Sequence, residues 1–219
     1  MPRPDVYASA PRGWRTRLGS AAAARARERR HERFEAIVQP RPGLRIVDVG
    51  CGPIGLRAFA QDLDVTGVDV RDRPDYPGPF VRADATRRLP FADGEFDLAY
   101  SNSLIEHLPR AARPAFAAEL RRIARGWWVQ TPAFSFPVEP HALLPAAHWL
   151  PLALRRPYWR LGVAGEWEEI ALLRRGELAE LFGEPVIAER VGPLVKSWIA
   201  VRPPPPRRRR GSAASSAAA

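Results

Sequence analysis

One cysteine, Cys51, stands in 219 residues, so an intrachain disulfide framework is excluded. No apolar run is long enough to cross a bilayer as a helix. Met1-Pro2-Arg3-Pro4-Asp5 lacks the apolar core of a secretory signal. These absences together set the expectation of a soluble, cytoplasmic protein. Lysine is nearly missing too: Lys196 is the only one, and 33 of the 34 basic residues are arginine. Such a bias reads as composition rather than as a set of phosphate-binding forks. No internal repeat is found, and no Cys/His spacing suits zinc, so no metal site is expected.

What is present is enough apolar material, 46% of residues, for one sizeable core. The net charge of +10 is unevenly spread: residues 1–50 carry +6, residues 202–219 carry +5, and the body between them −1. A nucleic-acid surface needs basic residues interleaved with aromatics on folded elements. Here the charge crowds the two ends, so nucleic acid is not the expected partner.

Residues 1–18, with Pro2, Pro4, Pro11 and Gly13, read as irregular. Ser20 is a candidate N-cap for a helix over 20–38 that ends before Pro40 and Pro42. From residue 44 strand and helix patterns alternate. Strands are predicted at 44–49, 65–70, 80–83, 96–101 and 127–131, with helices at 53–61 and 115–124. Residues 132–169 hold Pro132, Pro137, Pro140, Pro145, Pro151 and Pro157 among Phe, Leu and Trp. They read as a kinked apolar insertion on the substrate side. A helix at 175–182 and two antiparallel strands at 185–191 and 195–201 close the pattern. The expected fold is α/β: a Rossmann-like, mostly parallel seven-stranded sheet with helices on both faces and an antiparallel C-terminal edge. One domain spans 19–202, followed by a disordered Pro/Arg/Ala tail, 203–219.

The densest signal is Arg45-Ile-Val-Asp-Val-Gly-Cys-Gly-Pro-Ile-Gly55, an apolar strand running into a glycine-rich turn. Glycines there let a backbone approach a nucleotide-type ligand, and a following helix would point its N-terminus at negative charge. Asp69 closes the next strand, where an acid suits ribose hydroxyls. The spacing of Gly50, Gly52 and Gly55 also fits a dinucleotide fingerprint, which leaves an NAD(P)-linked oxidoreductase as an alternative. A binding protein with basic termini, docking nucleic acid or an acidic membrane surface, is a further one.

Val47-Asp48-Val49-Gly50-Cys51-Gly52 resembles the first motif of S-adenosylmethionine-dependent methyltransferases with the Rossmann-like fold. The resemblance continues through Gly67-Val68-Asp69, Ala83-Asp84-Ala85, the Leu89–Asp97 block and Ser101-Asn102-Ser103-Leu104-Ile105-Glu106-His107, and is with the type 11 branch. It implies S-adenosylmethionine as cofactor and a small or lipophilic organic acceptor. The implied cofactor set is Asp48, Gly50, Cys51, Gly52, Asp69, Val70, Asp84, Ala85, Ser101, Asn102 and Leu104. Asp48 would meet the ammonium, Asp84 and Ala85 the adenine, and Ser101 to Leu104 the methionine end. Asp84 has a rival reading as a turn aspartate. Ser103-x-x-Glu106 reads as a capping box.

Methyl transfer needs a base only if the acceptor must lose a proton. His107 and His141 are the candidates, because both follow strands whose carboxyl ends carry ligands. His31 is expected to be solvated, and His148, within the apolar insertion, to line an acceptor pocket. No Asn/Asp-Pro-Pro-Tyr/Phe motif follows the fourth strand and no Pro-Cys pair occurs, which argues against base-modifying DNA methylation.

Overall fold

The computed structural model describes residues 14–53, 55–163, 167–183 and 185–205, with side chains from residue 25 onward. Most of the expected irregular start (1–13) and of the C-terminal tail (206–219) lies outside the described residues. Strands β1 (Arg45–Val49), β2 (Asp64–Asp69), β3 (Phe80–Arg82), β4 (Phe96–Asn102) and β5 (Ala124–Pro132) precede a small ladder of β6 (Val138–Glu139) and β7 (Leu144–Pro145). Strands β8 (Val186–Val191) and β9 (Leu194–Arg202) end the described chain. Four α-helices accompany them: α1 (Trp14–Val38), α2 (Arg113–Ile123), α3 (Leu152–Trp159) and α4 (Arg175–Phe182).

The main sheet has seven strands in the order β3-β2-β1-β4-β5-β9-β8. β1 to β5 pair in parallel, whereas β9 runs antiparallel to both β5 and β8. This is the expected fold class. The chain builds outward from β1 to β3, then returns to add β4 on the other side. The carboxyl ends of β1 and β4 therefore flank a topological switch point, where open α/β sheets bind ligands.

Period-2 alternation divides the strands between two cores. Val47, Val49, Ala99, Trp127 and Val129 pack with Phe116, Leu120 and Ile123 of α2 and Leu178 and Phe182 of α4. Ile46, Leu98 and Trp128 pack on the opposite face with Phe34 and Val38 of α1. Phe34 meets both Tyr100 and Trp128 edge-on, with centroids 5.5 Å apart in each case.

Two local expectations are corrected. α1 extends back to Trp14, so Ser20 lies inside the helix. Arg15, Arg17 and Leu18 favour the helix upstream of it, and it runs through Gly19 despite the poor propensity of glycine. The helix anticipated over 53–61 is only a 3-10 turn, Gly55–Ala58. Its apolar spacing is helical, but Pro53 and a Gly55 with φ of 57° interrupt it, and Ile54 lies outside the described residues.

The proline-rich insertion forms a lobe with its own small core of Ala142, Leu144, Ala147, Trp159, Ile170 and Leu172. A bridge between Ala133 and Leu173 closes its base. Leu144 and Trp159 are thus internal to the lobe, while Trp149, Leu152 and Leu154 are exposed. Among the described residues, no helix is long and apolar enough to cross a membrane.

Candidate active site

A cavity of about 390 Å³ opens at the switch point. Its floor is Asp48, the loop from Gly50 to Pro53, Gly55 and Leu56; its walls are Tyr100 and Asn102 from β4, Phe59, and Arg27, Arg30 and His31 from α1. Strand alternation explains the membership. Asp48 shares a face with Ile46, and Asn102 with Leu98, so both point to the α1 side.

Asp48 is buried, and its Oδ2 accepts the Leu56 amide at 2.6 Å. Burial raises its pKa from 3.8 to about 7, against the Leu56 hydrogen bond, which lowers it; the charge of Asp69 raises it further. A buried carboxylate of this kind is matched to an incoming cation. Gly55 leaves room for it: a Cβ there would lie 2.1 Å from Asp48 Oδ2. Gly55→Ala adds that clash to a left-handed backbone that costs an L-residue about 1–2 kcal/mol. The substitution is expected to destabilise the fold by at least about 2 kcal/mol, read as a lower urea midpoint.

The amides of the glycine turn are engaged internally. Those of Gly50 and Cys51 donate to the Val68 carbonyl at 2.8 and 3.2 Å, and that of Gly52 to Asp69 Oδ2 at 3.1 Å. The turn therefore binds β2 through these three amides, and among the described residues a 3-10 turn, Gly55–Ala58, follows it rather than an α-helix. Gly50 serves close packing instead, since a Cβ would lie 2.8 Å from Leu104 Cδ2. The Cys51 thiol is buried and pushed up to about 12, chiefly by desolvation and then by Asp48. It stands as a protonated lining group rather than a nucleophile.

Asp69 sits beside this turn. Besides Gly52 it accepts the Arg71 amide at 2.9 Å and the Arg73 guanidinium at 3.0 Å. Val70, next along, is 61% exposed. Asp84 accepts the amide and hydroxyl of Thr86 at 2.9 and 2.7 Å, contacts that hold its carboxyl below the usual range. This is the turn geometry of its rival reading. Ala85 is buried in the α2-side core.

The structure thus brings Asp48, Gly50, Cys51, Gly52 and Asn102 to one cavity, with Asp69 bonded to its rim. Asp69, Val70, Asp84, Ala85, Ser101 and Leu104 are not in its lining. Ser101 lies on the other face of β4 and donates to the Val49 carbonyl at 2.9 Å. Sequence reading missed Arg27, Arg30, His31, Phe59 and Tyr100. Tyr100 was detectable from its alternation with Leu98 and Asn102. His31 is not simply solvated: it packs on Phe59 at 5.5 Å between centroids and lines the cavity.

The expected capping box is absent. Ser103 has φ of 55° and donates to Gln130, and no side chain caps the 3-10 turn Ile105–His107. Glu106 is buried and accepts from Thr131 instead. His107 and His141 meet edge-on, with centroids 4.9 Å apart. Desolvation lowers the His141 pKa, but the hydrogen bond to Glu139 and the charges of Glu139, Glu106 and Glu168 outweigh it, for a net rise. His148 is buried within the insertion, where desolvation depresses its pKa and its Nε2 meets the Phe134 carbonyl at 3.0 Å.

Residues 47–126 match the family model described as a methyltransferase domain. An uncharacterized methyltransferase of a Mycobacterium species (strain JLS) is 35% identical over 42% of this chain and 39% of its own length. The 2-methyl-6-phytyl-1,4-hydroquinone methyltransferase of Synechocystis is 35% identical over 38% of this chain and 30% of that protein. The chain therefore spans about two fifths or less of these curated relatives. Magnesium protoporphyrin IX methyltransferase from Synechocystis, solved with S-adenosylhomocysteine, shares the fold with a TM-score of 0.57, covering 90% of each chain at 12% identity. Residues 47–126 are thus similar to a methyltransferase domain, and the seven-stranded sheet that carries them has the Rossmann-like fold of that solved structure.

Proposed function

We propose that this protein transfers a methyl group from S-adenosylmethionine to a small or lipophilic organic acceptor. The observation that carries the reading is the charge layout of the cavity. The buried Asp48 faces it from the glycine-turn side, and Arg27 and Arg30 face it from α1. An amino-acid head group is a zwitterion, and such walls fit both of its ends. Asp48 would hold the ammonium, the α1 arginines the carboxylate, and Asp69 at the rim the ribose hydroxyls in exchange for part of its bond to Arg73. Asp84 and Ala85 would flank the adenine farther along the same edge.

Bound there, the cofactor supplies a methyl group on a cationic sulfur, an already activated centre. The protein's part is to hold an acceptor lone pair in line with that carbon and to keep water away. The lobe over 133–173 supplies the apolar surface for this, with Trp149, Leu152 and Leu154 exposed on it. The hydroquinone and protoporphyrin named for two of the similar proteins are large apolar acceptors, in keeping with such a surface. An oxidoreductase reading finds no support in the turn, whose three amides are already engaged.

Calorimetry with S-adenosylhomocysteine tests the proposal. Micromolar binding is expected for the full chain, weakened by about 10–100-fold in Asp69→Ala, since each lost charge-assisted hydrogen bond is worth about 1.5–3 kcal/mol. Equal binding by both proteins, or none by either, would remove the reading.

A further inference from the structure

Glu106 is wholly buried. Its Oε2 accepts the Thr131 hydroxyl at 3.0 Å, while Oε1 has no hydrogen-bond partner. A buried carboxylate oxygen left unmatched is costly, so the site calls for a cation. His141 Nε2 stands 4.0 Å from that oxygen, and the His107 ring abuts His141. One ligand atom from each of Glu106, His107 and His141 lies within 4.8 Å of the other two, the one such grouping among the described residues.

Both rings are braced from behind. His141 Nδ1 lies 2.7 Å from Glu139, whose other oxygen is fixed by the amides of His141 and Ala142. His107 Nδ1 lies 2.8 Å from Glu168. A carboxylate on one imidazole nitrogen sets the ring's orientation and makes its other nitrogen a stronger ligand. In both rings that leaves Nε2. The two rings are about a quarter exposed, 24% and 23%, so an ion can enter from solvent.

We infer that Glu106, His107 and His141 bind a first-row divalent transition-metal ion. Two imidazoles and one carboxylate suit ions of the zinc, iron or manganese type rather than magnesium or calcium. Bonds of about 2.0–2.2 Å require the ligand atoms to close together from their present spacing. Three protein ligands leave a position open, as catalytic rather than structural sites do. The site follows β4 and β5 at the carboxyl edge of the sheet. If the methyl-transfer reading holds, on which this clause alone rests, the open position takes an acceptor oxygen such as a phenol. No sequence pattern reveals the set, because the fold joins adjacent residues 106 and 107 to a distant 141.

The test uses the full chain, free of any affinity tag and stripped with a chelator, with no cofactor present. Its outcome is thereby separate from that of the methyl-transfer reading. Titration with Co²⁺ is expected to give one equivalent of ligand-field absorption, displaced by Zn²⁺. Glu106→Gln keeps the volume and the Thr131 bond, and His107→Asn alters a partly exposed ring. Each should weaken Co²⁺ by more than the roughly 10–100-fold typical of losing a supporting hydrogen bond. Glu139→Gln should fall within that range. Absence of the absorption in the wild type, or its persistence in both Glu106→Gln and His107→Asn, overturns the assignment.

Discussion

Between about pH 4 and pH 7 the unliganded protein is expected to lose about 4 kcal/mol of folding stability through Asp48 alone. Its carboxyl titrates at about 7 in the fold, against 3.8 ordinarily. Below both values each state is protonated and the residue carries no penalty. As pH rises past the lower value, the unfolded chain ionises and gains free energy that the folded chain cannot match. The loss grows until the folded carboxyl ionises too, and is flat above that. Other groups titrate in the same window, so the measurement is a difference: urea unfolding of the wild type and of Asp48→Asn across the range. The substituted side chain still offers an oxygen to the Leu56 amide but does not titrate, so its curve should lack the Asp48 contribution. A cationic ligand head beside Asp48 reverses the balance. S-adenosylhomocysteine binding should then release close to one proton near pH 6, with affinity rising about tenfold per pH unit up to about 7. Calorimetry in buffers of different ionisation enthalpy reads that proton directly.

Glu189→Ala is expected to cost about 3–5 kcal/mol. Arg30 of α1 is 8% exposed and donates to Glu189 on β8 at 2.9 Å and to Asn102 on β4 at 2.9 Å. Removing the carboxylate leaves a guanidinium buried with only one neutral partner. Lys196, whose pKa burial depresses and Glu189 supports, loses the same counter-charge. The cost falls on the α1 attachment, which Arg33 reinforces through the Ala188 carbonyl. Because α1 walls the cavity, S-adenosylhomocysteine affinity should fall along with the unfolding midpoint. Replacing both members, as in Arg30→Met with Glu189→Leu, should recover most of the stability and little of the binding. Urea midpoints paired with calorimetry separate the two effects.

What sequence made legible was whatever neighbouring residues decide. The strand–turn–strand from Arg45 to Asp69 is short and local, so its glycines and acids could be placed by spacing. The antiparallel end, with strands at 185–191 and 195–201, was read for the same reason. Ser101 lies outside the cavity: the reading grouped it with Asn102 by position, whereas the pleat sends neighbours to opposite faces. The turn after Gly52 went wrong because apolar spacing competed with Pro53 and a left-handed Gly55, and backbone geometry won. Arg27, Arg30 and His31 were invisible for a different reason. An arginine-rich helix looks like a solvated face until a partner such as Glu189, far along the chain, folds against it.

The lobe's own core, Ala142, Leu144, Ala147, Trp159, Ile170 and Leu172, belongs to neither face of the large sheet. Substitutions separated in this way combine nearly additively. Residues such as Trp149 and Leu154 can therefore drift, or be recombined in a library, while the cavity beside Asp48 keeps its shape. Descendants of this scaffold are free to vary that outer surface without disturbing the cavity at the switch point.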